Sequence, residues 1–202
     1  MACPKLLILD CDGVLVKSEA ANLAYYNLMF RRFALPEVAQ EDRASRRLLH
    51  TLSTPQVIEH FFPENLRPEV RVYAAGLEYE TVAGMIEPEP GWVETLSSLK
   101  ARMKVCVATN RGRSAPGVIE AVGLTDLVDH VFMVHDVKNP KPAPDLIELA
   151  ISHFGVSADE AVYVGDSELD RKASMGAGVK FIGFRTEGDI RISHPCELES
   201  LC

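Results

Sequence analysis

Four short stretches of this chain combine residue types that can do chemistry together. Asp10-Cys11-Asp12-Gly13 sets two carboxylates two residues apart, and Thr109-Asn110-Arg111 offers a hydroxyl, an amide and a guanidinium. Lys141 sits in Lys138-Asn139-Pro140-Lys141-Pro142, and Gly165-Asp166-Ser167-Glu168-Leu169-Asp170 adds two more carboxylates. Four carboxylates brought to one crevice cannot all stay ionised without a cation to offset their repulsion. All-oxygen ligation with room for water and phosphate suits Mg²⁺ better than zinc. In such a site one carboxylate can attack phosphorus and form an aspartyl phosphate. A second, two residues on, can protonate the leaving alcohol and then activate water. Thr109 and Lys141 can hold the phosphoryl oxygens as charge redistributes. Taken singly, each feature has a plainer reading: loop carboxylates form turns and cap helices, Thr109 caps or turns, and Lys141 is a solvated lysine.

Position decides between these readings. Apolar runs at Leu6–Leu9, Val105–Ala108, Val131–Val134 and Ala161–Val164, with an interrupted one at Val179–Phe184, predict strands buried on both faces of a parallel sheet. Helices are expected at Trp92–Lys100, Val118–Val122 and Leu146–Phe154, so strands and helices alternate as in a doubly wound α/β core. Ligands bind such sheets beyond the carboxyl ends of the strands, and the acidic and Thr-Asn stretches directly follow predicted strands. The alternation breaks between residues 17 and 87, which read as helices only. Leu23, Tyr26, Phe30 and Phe33 recur at helical spacing with Ser18 as N-cap; Thr54-Pro55 caps a second helix, and a third follows Pro68. The expected organisation is an α/β core of residues 1–16 and 88–202, carrying a small all-helical domain of residues 17–87 inserted after the first strand.

Composition excludes several classes. The 202 residues are 47% hydrophobic and 25% charged, an ordinary globular balance. A net charge of −8 is unlike the positive surface that nucleic acid demands. No apolar run approaches the ~18 residues of a membrane span, and the first aliphatic run meets Asp10 after four residues, too short for a signal-peptide core. Five cysteines without CxxC spacing predict neither a disulfide framework nor zinc, and hence a reduced, cytoplasmic protein. Nothing in the sequence specifies an oligomeric state.

In the order Asp10-Cys11-Asp12-Gly13-Val14-Leu15, Ala108-Thr109-Asn110, Lys141-Pro142-Ala143-Pro144-Asp145 and Gly165-Asp166-Ser167-Glu168-Leu169-Asp170, the chain resembles the haloacid dehalogenase superfamily. The likeness spans residues 5 to about 184 and is nearest to the phosphoglycolate phosphatase-like and β-phosphoglucomutase-like members with a helical cap. It implies a Rossmann-like core, Mg²⁺ as cofactor and a small phosphorylated metabolite as substrate. By this resemblance Asp10 is the nucleophile and a metal ligand. Asp12 is the general acid/base and lends its backbone carbonyl to the metal. Thr109 and the Asn110 amide bind phosphate, Lys141 neutralises it, Asp166 ligates the metal, and Asp170 acts through water or from behind the ligands. Members that dehalogenate lack an acid at the position of Asp12, so its presence points to phosphoryl transfer.

The chain departs from its relatives chiefly in the insert. Lys17 stands where many carry an acid, and His50-Thr51-Leu52 lies where a glycine is common in the substrate loop. Thr51 and Arg111 are expected at the substrate; Arg111 with Arg113 either guides a second anionic group or forms a solvated pair on the loop before the next helix, and Lys17 and His50 are further candidates. Arg43, Arg46 and Arg47 read as a solvated helix face. Alternatives are a phosphosugar mutase of the β-phosphoglucomutase type, a phosphono-hydrolase using Lys17, and a noncatalytic phosphate-binding module.

Overall fold

The computed structural model describes residues 3–77 and 80–201. In chain order the elements are β1 (Leu6–Leu9), β2 (Val16–Lys17), α1 (Glu19–Arg32), α2 (Arg43–Thr51), α3 (Thr54–Phe61), α4 (Arg67–Gly76), α5 (Glu80–Ala83), β3 (Glu87–Pro88) and α6 (Trp92–Leu99). They continue with β4 (Lys104–Ala108), α7 (Ala115–Ala121), β5 (His130–Phe132), α8 (Asp145–Phe154), β6 (Ala161–Gly165), α9 (Glu168–Gly176), β7 (Lys180–Phe184) and β8 (Ile190–Ile192). Two compact units result, one formed by Met1–Val16 with Pro88–Cys202 and the other by Lys17–Glu87.

The first unit is an α/β fold on a six-stranded sheet in the order β5-β4-β1-β6-β7-β8, with all pairs parallel. The central strands β1 and β6, and β4 beyond Lys104, are buried at every position. Leu6, Ile8, Cys106, Ala108, Tyr163 and Phe181 pack with Leu146, Ile147 and Ala150 of α8 in one buried cluster. The connection order reverses around β1, which has β4 on one side and β6 on the other. Leu9 is in register with Val107 and Val164. The residues that follow these three central strands therefore emerge side by side, at the place where such sheets bind ligands.

The second unit is helical. Leu23, Tyr26, Met29 and Phe30 of α1 pack with Leu49, Val57, Ile58, Phe62 and Val70, and Phe30 stacks on Phe62 at 5.0 Å between ring centroids. The chain passes between the units at β2 and β3, which pair as a two-stranded ribbon.

Some boundaries differ from the sequence expectation. Ser18 occupies the N-cap of α1 but makes no capping hydrogen bond with its side chain. The N-cap of α3 is Ser53 rather than Thr54, because Gln56 completes a capping box with Ser53 and places Pro55 in the first turn. β5 ends at Phe132, short of Val134, where the Asp136 carboxylate takes the Met133 amide at 2.7 Å and turns the chain into a 3₁₀ helix. β8 was absent from the expected strands. Cys11, Cys106 and Cys196 are free thiols. No helix among the described residues is long and apolar enough to cross a membrane.

Candidate active site

Asp10 directly follows β1, with its amide tied to Val164 of β6 at 2.9 Å. Its Oδ1 accepts the Cys11 amide at 2.7 Å and lies 2.9 Å from the Lys141 ammonium. The turn beyond it is closed by Gly13, in the left-handed region at φ +78°, where a Cβ would collide with the Asp166 carboxylate. Gly165 plays the same part on β6, since a Cβ there would collide with Asp170. These two glycines let carboxylates from adjacent strand ends approach one another. Asp10, Asp166 and Asp170 each bring an oxygen within 4.8 Å of the others.

Lys141 is 2% exposed and its Nζ meets three partners: Asp10, Asp170 Oδ1 at 2.6 Å and the Tyr163 hydroxyl at 2.8 Å. Tyr163, a residue of β6, in turn reaches Asp170 Oδ1 at 2.8 Å and the Ala108 carbonyl at 3.2 Å. The other oxygen of Asp170 takes the amide and hydroxyl of Ser167 at the start of α9. Asp170 is thus engaged on both oxygens by protein. Asn110 grips the backbone of Lys141 with its side chain, donating to the carbonyl at 3.1 Å and accepting from the amide at 2.9 Å. Thr109 lies buried at the end of β4, where its Oγ1 accepts the Arg111 amide at 3.0 Å.

Arg111, expected at the substrate, lies buried beside the first acidic motif. Its guanidinium is paired with Asp12, Nε donating to Oδ2 at 2.9 Å and Nη2 to Oδ1. Arg113 beside it is exposed. Within the helical unit, the Thr51 hydroxyl donates to the Arg47 carbonyl of its own helix at 3.0 Å. His50 Nδ1 is 3.1 Å from the Asn22 amide, Lys17 is exposed, and Arg46 pairs with Glu19 at 3.0 Å.

The electrostatics follow from this crowding. Burial raises the Asp10 carboxyl to about 7, with Lys141 opposing and Asp170 adding to the shift. Burial likewise lifts Asp166 well above the usual carboxylate range, reinforced by the charges of Asp170 and Asp10. For Asp170 burial acts in the same direction, but the Lys141 charge and the hydrogen bonds of Lys141, Ser167 and Tyr163 outweigh it and hold the group low. Burial would lower Lys141; Asp10 and Asp170 reverse this and keep it protonated above the ordinary lysine value. With all four carboxylates ionised, two negative charges exceed those of Lys141 and Arg111, and a divalent ion of that charge would favour the ionised forms of Asp10 and Asp166. The donors are all oxygen, which fits a hard cation.

Residues 7–184 match the family model described as haloacid dehalogenase-like hydrolase. The chain belongs to this family. Among curated relatives, the pyrophosphatase PpaX of Bacillus velezensis is 35% identical over 181 residues, covering 88% of this chain and 81% of its own. The phosphoglycolate phosphatase of Nitrosococcus oceani is 26% identical over 203 residues, with 95% and 90% covered. A crystal structure from Geobacter sulfurreducens, described as a HAD-superfamily hydrolase of subfamily IA, superimposes with a TM-score of 0.85 at 31% identity, covering 98% of this chain and all of the other. Asn110 and Tyr163 are the site residues whose parts the sequence hid. An amide beside a threonine expected to meet phosphate reads as a ligand contact, and a tyrosine inside Ala-Val-Tyr-Val reads as packing.

Proposed function

We propose that this haloacid dehalogenase-like hydrolase is a Mg²⁺-dependent phosphatase acting on a small phosphorylated metabolite through an aspartyl phosphate on Asp10. The observation that carries the reading is Asp10 itself: a carboxylate at the carboxyl end of the central strand, 2.9 Å from a buried lysine and two residues from a second acid. Asp10, Asp166 and the Asp12 backbone carbonyl are the groups to hold the ion, with Asp170, engaged on both oxygens by protein, acting through water or from behind them. Bound there, Mg²⁺ would offset the excess charge and polarise the phosphoryl group.

The side chains supply the rest. Asp10 attacks phosphorus as the leaving oxygen departs with a proton from Asp12. Thr109 and the Asn110 backbone amide bind the phosphoryl oxygens, while Lys141 neutralises their charge. Asp12, now ionised, takes a proton from the water that hydrolyses the acyl phosphate, releasing phosphate and restoring Asp10. Asp170 and Tyr163 keep the Lys141 ammonium beside Asp10, and Asn110 fixes its backbone. Residues 17–87 serve as the cap domain that selects the substrate. The relatives named for pyrophosphate and phosphoglycolate set the range of candidates.

A phosphate-release screen over phosphorylated metabolites, with Mg²⁺ and with excess chelator, tests the proposal. Activity is expected with Mg²⁺ only. Turnover undiminished in chelator, or a protein inert toward every phosphorylated compound including acetyl phosphate, would overturn it.

A further inference from the structure

One buried carboxylate has no part in the reaction above. Glu89 directly follows β3 and its side chain is 5% exposed, yet both of its oxygens are held by Arg185. Nη1 donates to Oε2 at 3.0 Å and Nη2 to Oε1 at 2.5 Å. A buried carboxylate is costly unless paired, and a two-pronged pair with arginine fixes a defined geometry. Arg185 is itself tied down where it follows β7. Its amide donates to the Ile192 carbonyl at 2.7 Å, Nε donates to the Ser193 carbonyl at 3.2 Å, and the guanidinium lies 4.5 Å from the centroid of the Phe184 ring. The Arg185 backbone is left-handed, at φ +57°, a conformation that a residue with a side chain keeps only where its surroundings impose it.

From Glu89 the contacts lead to the acid. Glu89 stands between Pro88 and Pro90, which stiffen the backbone on either side of it. Its amide donates to the Leu15 carbonyl at 2.9 Å, and the Trp92 indole donates to the Val14 carbonyl at 2.6 Å. Leu15 closes back on the Cys11 carbonyl at 2.9 Å, and the Gly13 amide closes on the Val16 carbonyl at 2.9 Å. Asp12 lies inside that turn. A continuous path of bonds therefore runs from the end of β7 through Arg185 and Glu89 to the turn that carries Asp12, and every residue on it belongs to one compact unit.

We propose that Glu89 and Arg185 are a positioning pair for Asp12: they brace the Cys11–Val16 turn against the end of β7, so that the acid meets first the leaving oxygen and then the attacking water. This rests on the phosphatase reading and extends its machinery to two residues outside the reacting groups.

The test uses the full chain with MgCl₂. Two alkyl esters, 2-phosphoglycolate and glycerol 3-phosphate, have leaving groups that need a proton; acetyl phosphate has one that departs without it. In Glu89→Ala, kcat/KM for the alkyl esters is expected to fall about tenfold or more, within the ~10²-fold that a 1 Å misplacement can cost. For acetyl phosphate it should change by about threefold or less. Acetyl phosphate should instead leave phosphorylated enzyme on quenching, seen as added mass, because Asp12 also activates the water. Arg185→Gly, which removes the pair from its other side and suits a left-handed backbone, should show the same pattern. Glu89→Gln, which keeps a hydrogen bond to the guanidinium, should fall between Glu89→Ala and the parent, and it serves if thermal melting shows Glu89→Ala to be unfolded. Equal losses on all three compounds would describe a pair that only supports the fold, and would overturn the proposal. So would a folded Glu89→Ala protein with undiminished activity on the alkyl esters, or a parent active on acetyl phosphate alone, in which Asp12 supplies no acid. A parent inert toward acetyl phosphate as well would fell the phosphatase reading first, so the two failures are distinguishable.

Discussion

Lys141 and its partners show how closely chemistry and electrostatics are joined at single residues. Asp10→Asn keeps the shape of the nucleophile but removes its charge, and is expected to abolish both turnover and covalent labelling. Asp12→Asn leaves the nucleophile and removes proton transfer, a loss of about 10²–10⁴-fold. With a good leaving group it should accumulate phosphorylated enzyme, visible as added mass on quenching; label accumulating in Asp10→Asn instead would reverse the assignments. The raised Asp10 carboxyl also gives a pH dependence with a definite sign. Its folded value of about 7 lies above the ordinary aspartate value of 3.8, so folding takes up a proton between these values. The stability this contributes is present at the acid end of that window and is lost as pH rises through about 7. A divalent ion needs the ionised form and competes with that proton. The rise in melting temperature on adding MgCl₂ should therefore be larger at pH 8 than at pH 6, and an increment independent of pH would contradict it. Tyr163→Phe retains the ring that packs 6.3 Å from Phe181 but loses the hydroxyl beside Lys141 and Asp170. The fold should survive with about 1–3 kcal/mol less stability, while the inhibition constant of inorganic phosphate rises.

At the scale of elements, the pair of hydrogen bonds from Asn110 joins the end of β4 to the loop that carries Lys141. Asn110→Ala leaves the Lys141 amide and carbonyl to find other partners. It is expected to cost about 1–3 kcal/mol and to raise KM for phosphorylated substrates, as read by melting and steady-state kinetics. An unchanged KM would mean that the loop is held by other contacts. The central strands were legible in the sequence because Leu6–Leu9, Val105–Ala108 and Ala161–Val164 are apolar on both faces, a pattern that solvent-facing strands do not show. The acidic motifs could then be placed at strand ends. What escaped were features fixed by a single hydrogen bond or by burial. β8 is three residues of Ile-Arg-Ile at the sheet edge, too short to show a period. The end of β5 is set by Asp136, whose capping bond competes with continued apolar sequence. The Arg111–Asp12 pair joins residues 99 positions apart in the chain, and no spacing rule announces such a contact.

At the scale of the whole molecule, the site residues from Asp10 to Asp170 belong to one compact unit, although the helical insert separates Asp12 from Thr109 in sequence. The insert leaves through β2 and returns through β3, and these two strands are hydrogen-bonded neighbours. Bridging Val16 to Pro88 with a short Gly-Asn turn should therefore close only a small loop, at little entropic cost. The shortened protein is expected to keep a cooperative melt and hydrolyse acetyl phosphate, while losing its ranking among larger substrates. Loss of all structure would show that the sheet depends on the insert for more than selectivity. The adjacent ends also bear on how such a chain can diversify. A segment whose two ends meet can be lengthened, replaced or traded between genes as one cassette, leaving the reading order of the chemistry on either side undisturbed.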